Sequence, residues 1–205
     1  MIERGIGWNM IGEILVLDDF IPLNDQEYME TTLLDPNGGI DWYYRPFSVY
    51  EPSNPNPLNI ATTEQYKDPP QFVHHVYKNN SKCRMFDLVI PVLDRLPFSY
   101  SSIQRVKFNL LYPHKVDKHN IPHVDSTKES ANISAIYYVN ESSGDTLFYN
   151  DAYSTAQKCS RASTIRYRVS PKKGRLVIFD SNILHSSSTP NHGVRVVCNF
   201  VFNKY

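Results

Sequence analysis

Cysteine is scarce in this chain of 205 residues: Cys83, Cys159 and Cys198 are odd in number and far apart, with no CxxC pair. That excludes a disulfide framework and points to free thiols in a reducing compartment. Long apolar runs are missing too, and nothing approaches the roughly 18 residues that a membrane-crossing helix requires. Met1 to Ile14 lacks the basic-then-apolar order of a signal peptide. Excess charge is also absent, since 21 basic residues face 21 acidic ones. A global attraction to nucleic acid or to an anionic membrane is thereby removed. No internal repeat or low-complexity tract appears. The expectation is a soluble, cytoplasmic protein of ordinary single-domain size with a well-buried core.

Aromatic residues make up 13% of the chain, with 14 tyrosines, and short β-branched runs recur. Both favour β structure. Gly12 to Leu17 reads as a strand, and Asn24 can cap a helix from about Asp25 to Leu34. Asp35 to Asn59 is rich in Pro, Asn, Gly and Ser and reads as one long loop carrying Trp42, Tyr43, Tyr44 and Arg45. Between about Thr62 and Leu96, Phe72, Val76, Met85, Phe86, Val89, Leu93 and Leu96 recur at three- and four-residue steps, which predicts helical structure interrupted at Pro69-Pro70 and Asn79-Asn80, with Pro91 kinking its last helix or opening a new one. Six strands are then predicted: 103–112, 133–140, 146–149, 165–169, 175–180 and 194–202. Helices followed by many short strands suggest a helix-supported β-sandwich or jelly roll. The expected organisation is one domain over 1–205, with helical support to about residue 100 and a jelly-roll core from about 101 to 205.

His123 and Asp125 flank Val124. On a strand, residues i and i+2 share a side about 7 Å apart, so this pair would present an imidazole and a carboxylate to one ion. A third ligand must come from another strand, and His185, after the 175–180 strand and its turn, is the candidate. Two imidazoles and a carboxylate on one face of an iron leave positions open for a co-substrate and O₂. An HxD triplet alone is close to what chance provides in this composition. What adds weight is Arg195, early in an apolar strand, because a buried guanidinium needs an anionic partner. That partner is either a carboxylate of the protein or a bound one, and Gly193 would permit a tight turn just before the strand. His119 and His123 could form a zinc-type helical pair, but Pro113 and Pro122 make a continuous helix there improbable.

From about Val106 to Phe202 the chain resembles the 2-oxoglutarate- and Fe(II)-dependent dioxygenases, and within them the prolyl 4-hydroxylase-like branch. Asn109-Leu-Leu-Tyr112-Pro113 is similar to the strand that precedes the HxD in that family. Ile136-Tyr-Tyr-Val-Asn140 and Ser143-Gly144-Asp145-Thr146 follow in the family's order, then Pro171 to Phe179, His185 and Gly193-Val-Arg195. Ile14 to Phe20 looks like the usual opening. Ser143 stands where the family has the first of two glycines, and the stretch from His114 to His119 departs from its glycine-rich pattern.

The resemblance implies a double-stranded β-helix, a jelly roll with the metal near one open end. It assigns His123, Asp125 and His185 to Fe(II), and Arg195 and Tyr138 to the far carboxylate of 2-oxoglutarate. Tyr112 would line the co-substrate pocket, and Asn199, which shares strand parity with Arg195, falls where the family has a polar pocket residue. The implied reaction consumes 2-oxoglutarate and O₂, yields succinate and CO₂, hydroxylates a C–H bond, and is supported by ascorbate. A prolyl residue of a peptide or protein is the leading substrate. The loops 35–59 and 150–164, the second with Tyr153, Lys158 and Arg161, would flank the mouth. An oxygenase for nucleic acid or a small molecule is the first alternative. The nucleic-acid branch carries a second arginine six residues past the co-substrate arginine, where this chain has Val201. A non-catalytic jelly-roll binding module is the second, and intact ligands with an intact Arg195 argue against it. The sequence assigns no oligomeric state.

Overall fold

Alternation of apolar side chains along extended segments builds two antiparallel sheets that face each other. The computed structural model describes residues 8–11, 13–49, 66–67, 69–113, 119–126, 132–152 and 164–205. Its strands are β1 (Trp8–Ile11), β2 (Ile14–Leu17), β3 (Tyr43–Arg45), β4 (Tyr66–Lys67), β5 (Gln71–Lys78), β6 (Ser81–Lys82), β7 (Ser102–Leu111), β8 (His119–Asn120), β9 (Asn132–Tyr138), β10 (Thr146–Ala152), β11 (Ile165–Val169), β12 (Leu176–Asp180), β13 (Ile183–Ser187) and β14 (Arg195–Asn203). Helix α1 spans Leu23–Leu33, and a 3₁₀ turn at Phe86–Val89 runs into the short helix α2 at Ile90–Leu93.

The main sheet has the order β1-β2-β12-β9-β14-β7-β5-β3, with β6 on β5. The second sheet is β11-β10-β13. It is prolonged by antiparallel bridges from His119 to Ser188 and from His123 to His185. From β7 onward the chain passes between the two sheets repeatedly, and this winding is the double-stranded β-helix, or jelly roll. β9 and β14 are buried on both faces. Their outer side chains, Tyr137, Val196, Cys198, Phe200 and Phe202 among them, pack against Met29 and Leu33 of α1 and Val89 and Val92 of the helical turns. Their inner side chains, Ile136, Tyr138 and Val197, meet Phe148 and Val169 of the second sheet.

Helix α1 begins two residues earlier than expected. Pro22, not Asn24, is its N-cap, and the main-chain N–H groups of Asp25 and Gln26 both donate to the Pro22 carbonyl at 3.0 Å. A proline at a helix start loses nothing, since N–H groups there have no helical partner.

The helix expected from about Thr62 to Leu96 is corrected more strongly. Gln71–Lys78 is a strand paired with β7. Phe72 and Val76 are four apart, a spacing that also fits one face of a strand, and a strand is what the exposed edge of β7 requires. Among the described residues of that stretch only 86–93 is helical, with Pro91 inside the first turn of α2 as a new helix allows. Helical support over 1–100 is therefore partial, because β1, β2, β3, β5 and β6 all come from that region. The long loop expected from Asp35 also contains a strand, β3, which pairs with β5. Residues 50–59 of that loop, and Tyr153, Lys158 and Arg161 of the other, lie outside the described residues. Cys83 and Cys198 are free thiols, and Cys159 is outside the described residues. Among the described residues no helix is long and apolar enough to cross a membrane.

Candidate metal centre

His185 has a strand of its own, β13, instead of closing the turn after β12. Its N–H donates to the His123 carbonyl at 2.9 Å, and the His123 N–H donates back to the His185 carbonyl at 2.8 Å. This reciprocal pair locks the two residues opposite each other and brings their rings to 4.5 Å between centroids. The Asp125 N–H donates to the Ser181 carbonyl at 2.9 Å, which turns its carboxylate to the same side. One ligand atom each from His123, Asp125 and His185 then lies within 4.8 Å of the others. Asp125 Oδ2 is 3.7 Å from His185 Nε2.

The donor set fits a divalent transition metal. Nδ1 of His185 is 2.9 Å from the Ile183 carbonyl, and Nδ1 of His123 is 3.3 Å from the Ile121 carbonyl. A carbonyl only accepts, so each Nδ1 carries the proton and each Nε2 keeps a free lone pair, as a ligating histidine requires. Burial, followed by the neighbouring His185, pushes the His123 imidazole down to about 3, so it is neutral near pH 7. Burial alone would raise Asp125. His185, Arg105 and His123, with a hydrogen bond from Ser134, outweigh it and hold the carboxyl below its ordinary range.

Both Asp125 oxygens are held. Arg105 donates through one terminal nitrogen to Oδ1 at 2.9 Å, and the Ser134 hydroxyl donates to Oδ2 at 2.7 Å. With its proton so used, the Ser134 oxygen accepts from the Ser181 hydroxyl at 2.9 Å. The same Arg105 nitrogen donates to Asn199 Oδ1 at 3.2 Å. Asn199 is thus tied to the metal site through Arg105.

A second cluster stands at the other end of the same interior. Arg195 is only 4% exposed, and one terminal nitrogen donates to Thr146 Oγ1 at 3.0 Å. Tyr138 shares that oxygen, with its hydroxyl at 2.6 Å, and the guanidinium carbon lies 5.4 Å from the Tyr138 ring centre. Arg195 Nε is buried with no partner. Among the described residues no carboxylate comes within 4.0 Å of Arg195, because Asp145 pairs instead with Arg168 at 3.8 Å. Burial pushes the guanidinium below its ordinary range, the mark of a cation short of a counter-ion.

The strand start is fixed on both sides of Arg195. Asn140 donates to the Val194 carbonyl at 2.9 Å and accepts from the Val196 N–H at 2.9 Å. Gly144, at φ +95°, lies beneath, where a Cβ would sit 2.7 Å from the Ser188 carbonyl oxygen and 3.3 Å from Arg195 Cδ. Ser143, in place of the first glycine, accepts the Asn191 N–H at 3.0 Å and so braces the opposite turn. Gly193 takes φ +61° in that turn.

Six of the seven residues expected at the site therefore fall into two groups inside the jelly roll. Tyr112 is apart: it is 59% exposed and sets its ring edge against Phe72 at 5.6 Å. His119 pairs with Tyr66 across the parallel β4–β8 contact, so it is not part of a helical zinc pair. Sequence reasoning did not single out Thr146, Arg105 or Ser134 as site residues. Thr146 closes the Ser-Gly-Asp-Thr turn, and Arg105 alternates with apolar residues along β7; these were the available signals.

Two facing sheets thus bury a His–Asp–His set that could hold a metal ion and, farther along the same interior, an arginine with no carboxylate partner among the described residues. Residues 108–203, just under half of the chain, match the family model of the 2OG-Fe(II) oxygenase superfamily. Over that segment the chain is similar to that superfamily, whose members use Fe(II), 2-oxoglutarate and O₂. Similar solved structures include a prolyl hydroxylase from Trichoplax adhaerens in complex with a hypoxia-inducible-factor peptide fragment, at 12% identity and a TM-score of 0.59, covering 94% of this chain and 84% of that one. A prolyl 4-hydroxylase from Pseudomonas putida aligns at 15% identity and a TM-score of 0.53, covering 95% and 94%. The α-ketoglutarate-dependent carbocyclase SnoK of nogalamycin biosynthesis aligns at 10% identity and a TM-score of 0.60, covering 94% and 79%. No curated protein matches significantly in sequence. Relatives of such different chemistry share the fold equally well, so the fold does not choose the substrate.

Proposed function

We propose that this chain hydroxylates a prolyl residue of a peptide or protein, with His123, Asp125 and His185 holding Fe(II) and Arg195 with Tyr138 holding the far carboxylate of 2-oxoglutarate. The observation that carries the co-substrate part of this reading is the buried Arg195, with no carboxylate within 4.0 Å among the described residues, in the same interior as the His–Asp–His set. Iron bound there would supply O₂ activation coupled to decarboxylation of 2-oxoglutarate, giving succinate and CO₂ and leaving one oxygen atom in the substrate C–H bond.

The chain's own residues do the rest. Ile183 and Ile121 carbonyls orient the two imidazoles, and Arg105 and Ser134 fix the carboxylate. The Arg195 N–H groups not used on Thr146 can pair with a carboxylate through two parallel bonds, while Thr146 accepts from one terminal nitrogen. Val177, Phe179, Phe148 and Val197 line the interior and keep water away. Asn199 acts through Arg105.

The prolyl reading takes its lead from the two prolyl hydroxylases among the similar structures, which share the fold with enzymes of other chemistry, so the substrate has to be tested directly. Its test is mass spectrometry of a proline-containing peptide library incubated with the protein, Fe(II), ascorbate and 2-oxoglutarate, with nucleotides and free amino acids as competitors. One added oxygen on proline is expected. Oxidation confined to a nucleotide or a free amino acid overturns the prolyl reading and leaves the oxygenase in place.

A further inference from the structure

The inner face of the main sheet continues past the metal centre and turns basic. Asn199 on β14 stands opposite Lys107 on β7, and Lys107 stands opposite His75 on β5. Paired residues of neighbouring strands share a face. Lys107 and His75 therefore follow Asn199 outward, in the direction leading away from Asp125. Arg105 is two residues from Lys107 and so on the same face.

Arg105 is paired with Asp125, but the rest of this row has no counter-ion among the described residues. Among the described residues no carboxylate comes within 4.0 Å of Lys107, Lys78 or Arg45. Burial, then Arg105, pushes the Lys107 ammonium down to about 7 although Asp125 pulls it up, with Arg45 and Lys78 adding repulsion. Burial and the cations Lys78, Lys107, Arg105 and Arg45 push His75 down to about 4. A neutral His75 remains, with Nδ1 buried and unpartnered, and Asn109 Oδ1 on the same strand face is unpartnered as well. A partly buried ammonium beside a metal site, among further cations and open hydrogen-bonding atoms, costs free energy unless an anion arrives.

That anion is not the far carboxylate of 2-oxoglutarate. Arg195 is four residues from Asn199 on β14, about 13 Å along the strand. The interior thus has two cationic ends, with the His–Asp–His set nearer to the second.

We propose that the substrate is an acidic peptide, carrying a carboxylate or phosphate close to the oxidised carbon, and that Lys107, with His75, holds that group. This deepens, and rests on, the hydroxylase reading of the same site.

The test has a binding arm that needs no turnover. Protein loaded with Zn(II) and saturating 2-oxoglutarate is titrated by calorimetry with acetyl-Pro-Glu amide, acetyl-Pro-phosphoserine amide and the neutral acetyl-Pro-Gln amide. The two anionic peptides should bind, the neutral one at least about 10-fold more weakly, and Lys107→Met should erase the difference while Lys107→Arg keeps most of it. Methionine retains the aliphatic stem, and an unchanged thermal melt verifies that the variant folds. Equal binding of the neutral peptide, an anion preference that survives Lys107→Met, or an anion displaced by 2-oxoglutarate would each overturn the proposal. The turnover arm separates this from the hydroxylase reading. Lys107-dependent anion binding without hydroxylation of any peptide sinks the prolyl assignment alone. Hydroxylation indifferent to an acidic neighbour sinks the anion site alone. The stronger of the two anionic peptides tells carboxylate from phosphate.

Discussion

His185→Ala is expected to abolish Fe(II) binding and all turnover. The Nε2 lone pair of His185 is aimed by the Ile183 carbonyl and has Asp125 Oδ2 3.7 Å away. No other imidazole of the described residues stands on that side of Asp125 to replace it. Losing an outer hydrogen-bond partner of a metal ligand costs roughly 10- to 100-fold in affinity, and losing the ligand itself must cost more. Fe(II) or Co(II) titration followed by absorbance measures it. Because His185 is buried between Phe179 and Phe148, alanine also leaves a cavity. His185→Gln, which fills more of that volume, serves as the second variant and should bind the metal weakly while melting closer to the wild type. Wild-type metal affinity in both variants would show that the metal, if any, is held elsewhere.

Arg195→Ala should instead leave metal binding largely intact and weaken 2-oxoglutarate. Removing one partner of a buried, hydrogen-bonded charge pair costs about 2–5 kcal/mol, roughly 30- to 5000-fold in affinity. The loss should appear in the KM for 2-oxoglutarate and in its metal-dependent binding. Arg195→Lys should recover part of it, since lysine restores the charge but not two parallel donors. Unchanged co-substrate affinity in Arg195→Ala would remove Arg195 from the pocket.

The metal site was legible because its information is in order and residue type: HxD, then a distant histidine, then an arginine. The local structure around it was less so. His185 lies in Ile183-Leu-His-Ser-Ser187, too short and too weakly alternating to read as a strand until His123 pairs with it. The β5 sequence predicts helix because a four-residue spacing satisfies both periods, and the partner that decides between them, β7, is about thirty residues away. β3 was hidden because Tyr43, Tyr44 and Arg45 are all exposed on a sheet edge and show no alternation.

Arg105, Lys107 and Asn109 illustrate a different limit. They alternate with Val106, Phe108 and Leu110, a pattern that ordinarily marks a solvent face. In a jelly roll both faces of a main-sheet strand are enclosed, one by helices and one by the second sheet. Alternation tells which side chains share a face, but not whether that face meets water or a metal. That Arg105 holds Asp125 became readable only with the second sheet in place.

The most direct measurement is succinate released from 2-oxoglutarate by the purified chain without any added substrate. The account predicts slow succinate formation that requires both Fe(II) and O₂ and stops when the metal is chelated. No succinate, together with no iron-dependent binding of 2-oxoglutarate, would contradict it and leave a jelly roll that binds without oxidising.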